Sequence, residues 1–215
     1  MTHDAYDFWL FDLDGTIVDI EPSYVTEVFE EVGDRLGRSF TEAEAETLWY
    51  GNGGSRDQHL RKWGITPEDF WAVFHEVEDP RARAESTYLY DDAGAFVRDI
   101  DGPVGVVTHC QPYLTGPVLD TLDIRDWFDA VVCCTDDTGW KPDPEPVELA
   151  MRGLDVGYNG HTGVLAGDDA NDVGAAWNAG LDAVHVERKD PHDRGQCVLG
   201  DHRIRSFEEL KDESS

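Results

Sequence analysis

Apolar residues along this 215-residue chain fall into two rhythms. One is the short unbroken run. Phe8-Trp9-Leu10-Phe11, Val104-Gly105-Val106-Val107, Ala130 to Cys134, Thr162 to Ala166 and Ala183 to Val186 each read as a strand buried on both faces. The other is the helical period. After Pro22, residues Val25, Val28, Phe29, Val32 and Leu36 share one face, and Gly37 closes that helix. Helices are also expected from Thr41 to Trp49, from Ser55 to Trp63 behind the loop Gly51-Asn52-Gly53-Gly54, from Thr66-Pro67 through Phe70, Trp71, Phe74 and Val77, and from Pro80 to Tyr90. No strand-like alternation interrupts them between Asp19 and Tyr90. Downstream, helices at 91–100, 112–122, 144–152 and 170–179 alternate with the strand runs. His202 to Ile204 reads as a last short strand and Ser206 to Leu210 as a closing helical turn.

Strand and helix in alternation mean a parallel sheet with helices on both faces, so the fold class is α/β, a Rossmann-like doubly wound sheet. The rhythm breaks once. Asp12 and Thr108, at the ends of the first two long strands, stand 96 positions apart, whereas a strand-helix-strand unit needs about 30. The excess is expected to form an all-helical cap inserted after the first strand and placed as a lid. Residues 1–20 and 91–215 then make the core domain and residues 21–90 the cap domain.

Charge narrows the partners. With 46 acidic residues against 17 Lys and Arg, the formal net charge is -29. Such a chain repels nucleic-acid phosphates and anionic membrane surfaces. The acids are spread along the whole length with no local block, which favours a general adaptation over a single basic partner protein. At about 1 M salt the screening length falls to roughly 3 Å, and a salt-rich cytoplasm, as in halophilic archaea, fits this composition. An apolar content of 40% with seven Trp separates the chain from a disordered acidic tail. Cys110, Cys133, Cys134 and Cys197 show no metal spacing and read as reduced and structural. Met1 to Asp7 lacks a basic region before a long apolar stretch, and eighteen apolar residues never run together, so neither a signal peptide nor a membrane span is expected.

The candidate chemistry sits where strands stop. The first run ends at Asp12-Leu13-Asp14-Gly15-Thr16, and open α/β sheets bind ligands at the carboxyl ends of their strands. Asp12 and Asp14, at i and i+2 of an extended chain, point the same way and repel unless a cation or shared proton intervenes; magnesium is the natural answer. Gly15 lets the chain turn and its backbone approach a phosphate, while Thr16 supplies a hydroxyl for local bonding. An aspartate with a glycine also marks an ordinary turn, so the full five residues carry the signal. A later strand runs into Gly167-Asp168-Asp169-Ala170-Asn171-Asp172, carboxylates that again call for a hard, oxygen-ligated metal. An acidic helix start accounts for Asp169 and Asp172 but not for Asp168 at the strand end. Lys141, in Trp140-Lys141-Pro142-Asp143-Pro144, is one of only four lysines, and the prolines stiffen its loop.

These stretches, in this order, resemble the haloacid dehalogenase superfamily of aspartate-nucleophile phosphotransferases, and are closest in pattern to its phosphoglycolate phosphatase group. The resemblance covers roughly residues 5–187; across the cap it is architectural only. It implies that the first strand is central, flanked by those ending at Thr108 and at Asp168. It implies Asp12 as a nucleophile that becomes an aspartyl phosphate, needing no base because a carboxylate is already ionised. Asp14 would protonate the leaving oxygen and then deprotonate the hydrolytic water. Thr108 would donate to the phosphoryl group, and Lys141 would neutralise charge on the phosphate and on Asp12. The implied magnesium ligands are Asp12, the backbone carbonyl of Asp14 and Asp168. Asp172 would hold Lys141 or a water on the metal, and Asp169 is a further candidate. His109, where many relatives carry Asn, reads as a hydrogen-bonding or structural residue beside Gly15, Thr108 and Lys141 in the substrate site.

The implied activity is magnesium-dependent hydrolysis of a small phosphorylated metabolite, a phosphate monoester. Asp14 separates this chain from the dehalogenase branch, where that acid is absent. One alternative is a phosphosugar mutase: β-phosphoglucomutases share Gly54-Ser55-Arg56 but carry a His twelve positions after the nucleophile, where Tyr24 stands here. Another is a non-catalytic receiver-like module, which predicts neither turnover nor a lid. Arg56 reads equally as the partner of a second anionic group on the substrate and as a surface residue balancing nearby acids.

Overall fold

The computed structural model describes residues 5–157, 160–189 and 197–210. From the amino end, β1 (Phe8–Phe11) and β2 (Val18–Ile20) precede five helices: α1 (Pro22–Leu36), α2 (Glu42–Tyr50), α3 (Arg56–Lys62), α4 (Pro67–Val77) and α5 (Pro80–Glu85). β3 (Thr87–Leu89) then leads into α6 (Asp91–Arg98). The remainder alternates through β4 (Val104–Thr108), α7 (Pro112–Thr121), β5 (Ala130–Cys133), α8 (Glu145–Gly153), β6 (Gly163–Gly167), α9 (Ala170–Asn178), β7 (Asp182–Val186) and β8 (His202–Ile204).

Six strands form one parallel sheet in the order β5-β4-β1-β6-β7-β8. β1 is central between β4 and β6, as the resemblance implies. Because side chains alternate across a strand, the inner apolar runs divide between two cores, whereas the run at β5, on the sheet edge, is only partly buried and leaves Val131 exposed. Trp9, Phe11, Val106 and Ala166 face one, with Phe96 of α6; Phe8, Leu10, Val107 and Leu165 face the other, with Val147 of α8 and Val173 of α9. Helices cover both faces, which is why neither face of these strands is polar.

Two compact units divide the chain: Met1–Asp19, Tyr88–Arg188 and Val198–Ser215 in one, Ile20–Thr87 and Lys189–Cys197 in the other. The first holds the six-stranded sheet. In the second, Val28, Phe29 and Val32 of α1 share a core with Leu48, Leu60, Phe70 and Phe74. Thr41 starts α2 with a reciprocal capping box to Glu44. The sequence pattern predicts helix throughout 19–90, and here the structure differs. Val18–Ile20 and Thr87–Leu89 are strands paired in a two-stranded sheet, and α5 stops at Glu85. Three residues are too few for an alternation to register. Glu21 N donates to Ser86 O (2.8 Å), so the run of five helices begins and ends at neighbouring points. Among the described residues no helix is long and apolar enough to cross a membrane, and no disulfide joins the described cysteines.

The closing turn at Phe207–Leu210 is tied to the sheet unit by one acid. Asp92 Oδ2, in the first turn of α6, accepts from Arg188 Nη1 (2.8 Å), Ser206 Oγ (2.8 Å) and Phe207 N (2.9 Å). Phe207 also stacks on Phe96 at 5.0 Å, a pairing that contributes about 0.5–1.5 kcal/mol beyond its buried area. Burial pushes the Asp92 carboxyl up, but the three donors outweigh it and hold it below the ordinary aspartate value. Its contribution to stability is therefore complete above that ordinary value, about 4, and is lost as pH falls through the depressed one. Asp92→Asn is expected to lose about 1.5–3 kcal/mol at neutral pH, as for hydrogen bonds to a charged group. In denaturant titrations its gap to the native protein should close as the solution is acidified.

Candidate active site

Asp12 follows β1 directly and is buried at the carboxyl edge of the sheet. Its N–H donates to Ala166 O (2.8 Å), so strand pairing with β6 continues to this residue and fixes where its side chain starts. After Leu13 the chain folds back. Leu13 O accepts from Ile17 N and Val18 N (both 3.0 Å), and Gly15 takes φ +78°. A Cβ at Gly15 would stand 2.7 Å from Asp168 Oδ2, so this turn lies against the Asp168 carboxylate and only glycine leaves room. Asp14 is half-buried, near enough for its charge to raise the Asp12 carboxyl. The Thr16 hydroxyl, expected to bond locally, is buried with no hydrogen-bond partner among the described residues.

The loop after β5 delivers Lys141. Gly139 N donates to Thr135 O (2.9 Å) and the Thr138 hydroxyl to Cys133 O (2.8 Å), closing the turn that precedes it. Pro142, joined to Lys141 by a cis peptide bond, is gripped by α9. Asn178 Nδ2 donates to Pro142 O (2.8 Å), and a Cβ on Gly174 would come 2.8 Å from Pro142 Cβ. That same helix carries Asp172. Lys141 Nζ donates to Asp12 Oδ1 (2.7 Å), Asp172 Oδ1 (2.6 Å) and Val107 O (2.8 Å), which engages all three of its protons. Burial alone would lower the Lys141 pKa, but Asp12 and Asp172 override it and keep the ammonium charged. Burial pushes the Asp12 carboxyl up to about 7 against the pull of Lys141, and raises Asp172 in the same way.

One ammonium thus faces two buried carboxylates, and a third is at hand. Oxygens of Asp12, Asp168 and Asp172 lie within 4.8 Å of one another. Surplus negative charge in a desolvated place favours a bound cation. An all-carboxylate donor set with a glycine turn against it fits a hard ion such as magnesium. Asp172 is held at both oxygens, Oδ1 by Lys141 and Oδ2 by Asp169 N (2.9 Å), and its carboxyl lies over Gly167, where no Cβ would fit. Asp169 turns to its own helix: its side chain caps α9 by accepting from Asn171 N (2.8 Å). Neither Asp169 nor the Asp14 side chain belongs to the converging trio.

Thr108 ends β4, one strand over, in the register that pairs Phe11 with Val106. It is buried, and its hydroxyl oxygen accepts from Cys110 N (3.0 Å). The ring of His109 lies 5.6 Å from that of Trp140. Asp12, Gly15, Lys141, Asp168 and Asp172 are therefore brought together at one sheet edge. Arg56 belongs to the helical unit, where its guanidinium donates to Leu48 O (2.7 Å) and Trp49 O (3.1 Å), carbonyls in the last turn of α2. Two neighbours escape the sequence pattern. Val107 O is a backbone acceptor with no residue signature. His185, fully buried in β7, sets Nε2 3.1 Å from Asp168 O, and a histidine inside an apolar strand run was the only signal for it.

Residues 7–180 match the family described as haloacid dehalogenase-like hydrolase. A plasmid-encoded phosphoglycolate phosphatase of Cupriavidus necator is 30% identical over 210 residues, covering 94% of this chain and 90% of its own. An N-acetylmuramic acid 6-phosphate phosphatase of Pseudomonas putida is 26% identical over 210 residues, covering 91% of this chain and 92% of its own. The fold is shared with a crystal structure from Lactobacillus plantarum at a TM-score of 0.78 and 23% identity, over 98% of both chains.

Proposed function

The chain belongs to the haloacid dehalogenase-like hydrolases and acts on phosphoric monoesters, and from that premise we propose a magnesium-dependent phosphatase of small phosphorylated metabolites, phosphoglycolate-like in class, that works through an aspartyl phosphate. The observation that carries the reading is the 2.7 Å pairing of Asp12 with a buried lysine inside a convergence of three acids.

In this reading the Asp12 carboxylate attacks phosphorus and the bond from phosphorus to the leaving oxygen breaks. Asp14 gives that oxygen a proton, then takes one from the water that cleaves the aspartyl phosphate and returns Asp12 to its carboxylate. Lys141 holds Asp12 in line and offsets charge on the transferring oxygens. Thr108, whose oxygen already accepts from Cys110 N, has its O–H hydrogen to donate to a phosphoryl oxygen. Asp12, Asp168 and the carbonyl of Asp14 would hold magnesium, which when bound supplies charge neutralisation at the phosphoryl oxygens. Asp172 keeps Lys141 in place, Gly15 leaves room for substrate and Asp168, and His109 borders the site through its neighbour Thr108. Arg56, engaged with the carbonyls of α2, acts here as a brace for that helix end. A salt-rich cytoplasm is part of the same reading, supported by the net charge of -29.

The test is phosphate release from a panel of small phosphate esters at high potassium chloride, with and without magnesium. Release that requires magnesium and stops on chelation is the expected result. Release indifferent to chelation would remove the metal from the reading, and phosphate passed to a sugar in place of free release would favour a β-phosphoglucomutase-like mutase.

A further inference from the structure

Backbone bonds shape the turn that carries Asp14 and Gly15 from within: Leu13 O accepts from Ile17 N and Val18 N, and Val18 O from Gly15 N (2.7 Å). Its one hydroxyl adds nothing, since Thr16 Oγ1 has no hydrogen-bond partner among the described residues. From outside, Tyr90 and Arg188 reach its carbonyls. Tyr90 N donates to Ile17 O (3.0 Å), and Arg188 Nη2 donates to Thr16 O (3.0 Å). Thr16 O is the nearer of the two to Asp14 along the chain, and Arg188 is the only side chain of the pair.

Arg188 is itself held firmly. Its Nη1 bonds Asp92 Oδ2 at 2.8 Å, its guanidinium carbon lies 4.0 Å from the centre of the Tyr90 ring, and its side chain is 10% exposed. A planar fork can serve Asp92 and Thr16 O at once; a single ammonium on a flexible stem holds that geometry less well. Arg188 lies just beyond β7, the strand whose His185 contacts Asp168 O, so the same end of the chain borders both the turn and the acid behind it.

Building on the hydrolysis proposed above, we propose that Arg188 is a positioning residue: by holding Thr16 O it fixes the turn and, with it, the approach of Asp14 to the leaving oxygen. Proton donation matters most where the leaving group is poor. p-Nitrophenolate departs as a stable anion, whereas an alkyl oxygen needs a proton as its bond to phosphorus breaks. A misplaced Asp14 therefore slows the first step, departure of the leaving oxygen, selectively for alkyl esters. The ratio kcat/KM reports that step alone, without the later cleavage of the aspartyl phosphate that all esters share, while loss of folded protein slows every ester alike.

The experiment compares kcat/KM of native protein, Arg188→Met and Arg188→Lys on p-nitrophenyl phosphate and on the best alkyl phosphate of the panel, well below the melting temperature of each variant. For Arg188→Met the expected loss is about tenfold on the alkyl ester, a fraction of the 10²–10⁴ that general acid catalysis supplies, and less than about twofold on the nitrophenyl ester. Arg188→Lys should show the same selectivity at smaller amplitude, and carries the test if the Met variant does not fold. Equal losses on the two esters, or no loss on either, overturn the assignment. A native protein that releases phosphate from neither ester overturns the phosphatase reading instead.

Discussion

Asp12→Asn is expected to lower phosphate release at least about a thousandfold, a rise of roughly 4 kcal/mol in the barrier, while leaving the protein folded. The amide is the same size but carries no charge, so it is a poor nucleophile and a poor metal ligand. Folding should survive because the ammonium is not orphaned. The amide oxygen can still accept from Lys141, and Asp172 remains 2.6 Å from Nζ. Removing the Asp12 charge also relieves the repulsion from Asp172 and Asp14 that, after burial, raises the Asp12 carboxyl in the native protein. Without added metal, the denaturation midpoint should therefore stay level or rise. Circular dichroism with phosphate release on the same sample checks both halves; full activity in the variant would take the nucleophile's role away from Asp12.

Lys141→Met should move stability the opposite way. The methionine fills most of the lysine's space but leaves Asp12 and Asp172 buried with no cation between them. Breaking a buried ion pair by removing one partner destabilises by about 3–5 kcal/mol. Activity should fall at least about a hundredfold, in line with loss of one preorganised electrostatic donor. The double variant Asp12→Asn/Lys141→Met should be less destabilised than Lys141→Met alone, because residues sharing one charge network do not act additively. Were Lys141→Met as stable as the native protein in denaturant titration, the picture of an ammonium held by two buried acids would fail.

Much of this architecture is legible in the residues because of how parallel sheets are made. Phe8 to Phe11 stop at an acid, Val104 to Val107 at Thr108, and Val164 to Ala166 at Gly167-Asp168. Parallel strands bring such ends to one edge, so side chains far apart in sequence become neighbours without any direct signal between them. What stays hidden has identifiable causes. Val18–Ile20 and Thr87–Leu89 are too short for a period to show. Asp169 and Asp172 belong to one acidic stretch, and only the helix geometry shows that Asp169 caps α9 while Asp172 reaches Lys141. Arg56 follows a glycine loop suited to a ligand, yet its donors go to Leu48 O and Trp49 O, backbone groups that no side-chain pattern reveals. The contacts among Asp92, Arg188 and Ser206 join residues with no shared periodicity, so nothing in the sequence pairs them.

The backbone bond from Glu21 to Ser86 means that the run of five helices departs and returns at one point. Closing a long excursion there is only slightly harder than closing a short one, since the entropy of closure grows with the logarithm of length. The helices between the two residues can thus lengthen or shorten at little closure cost while the strand register, and Asp12 anchored to it, stay as they are.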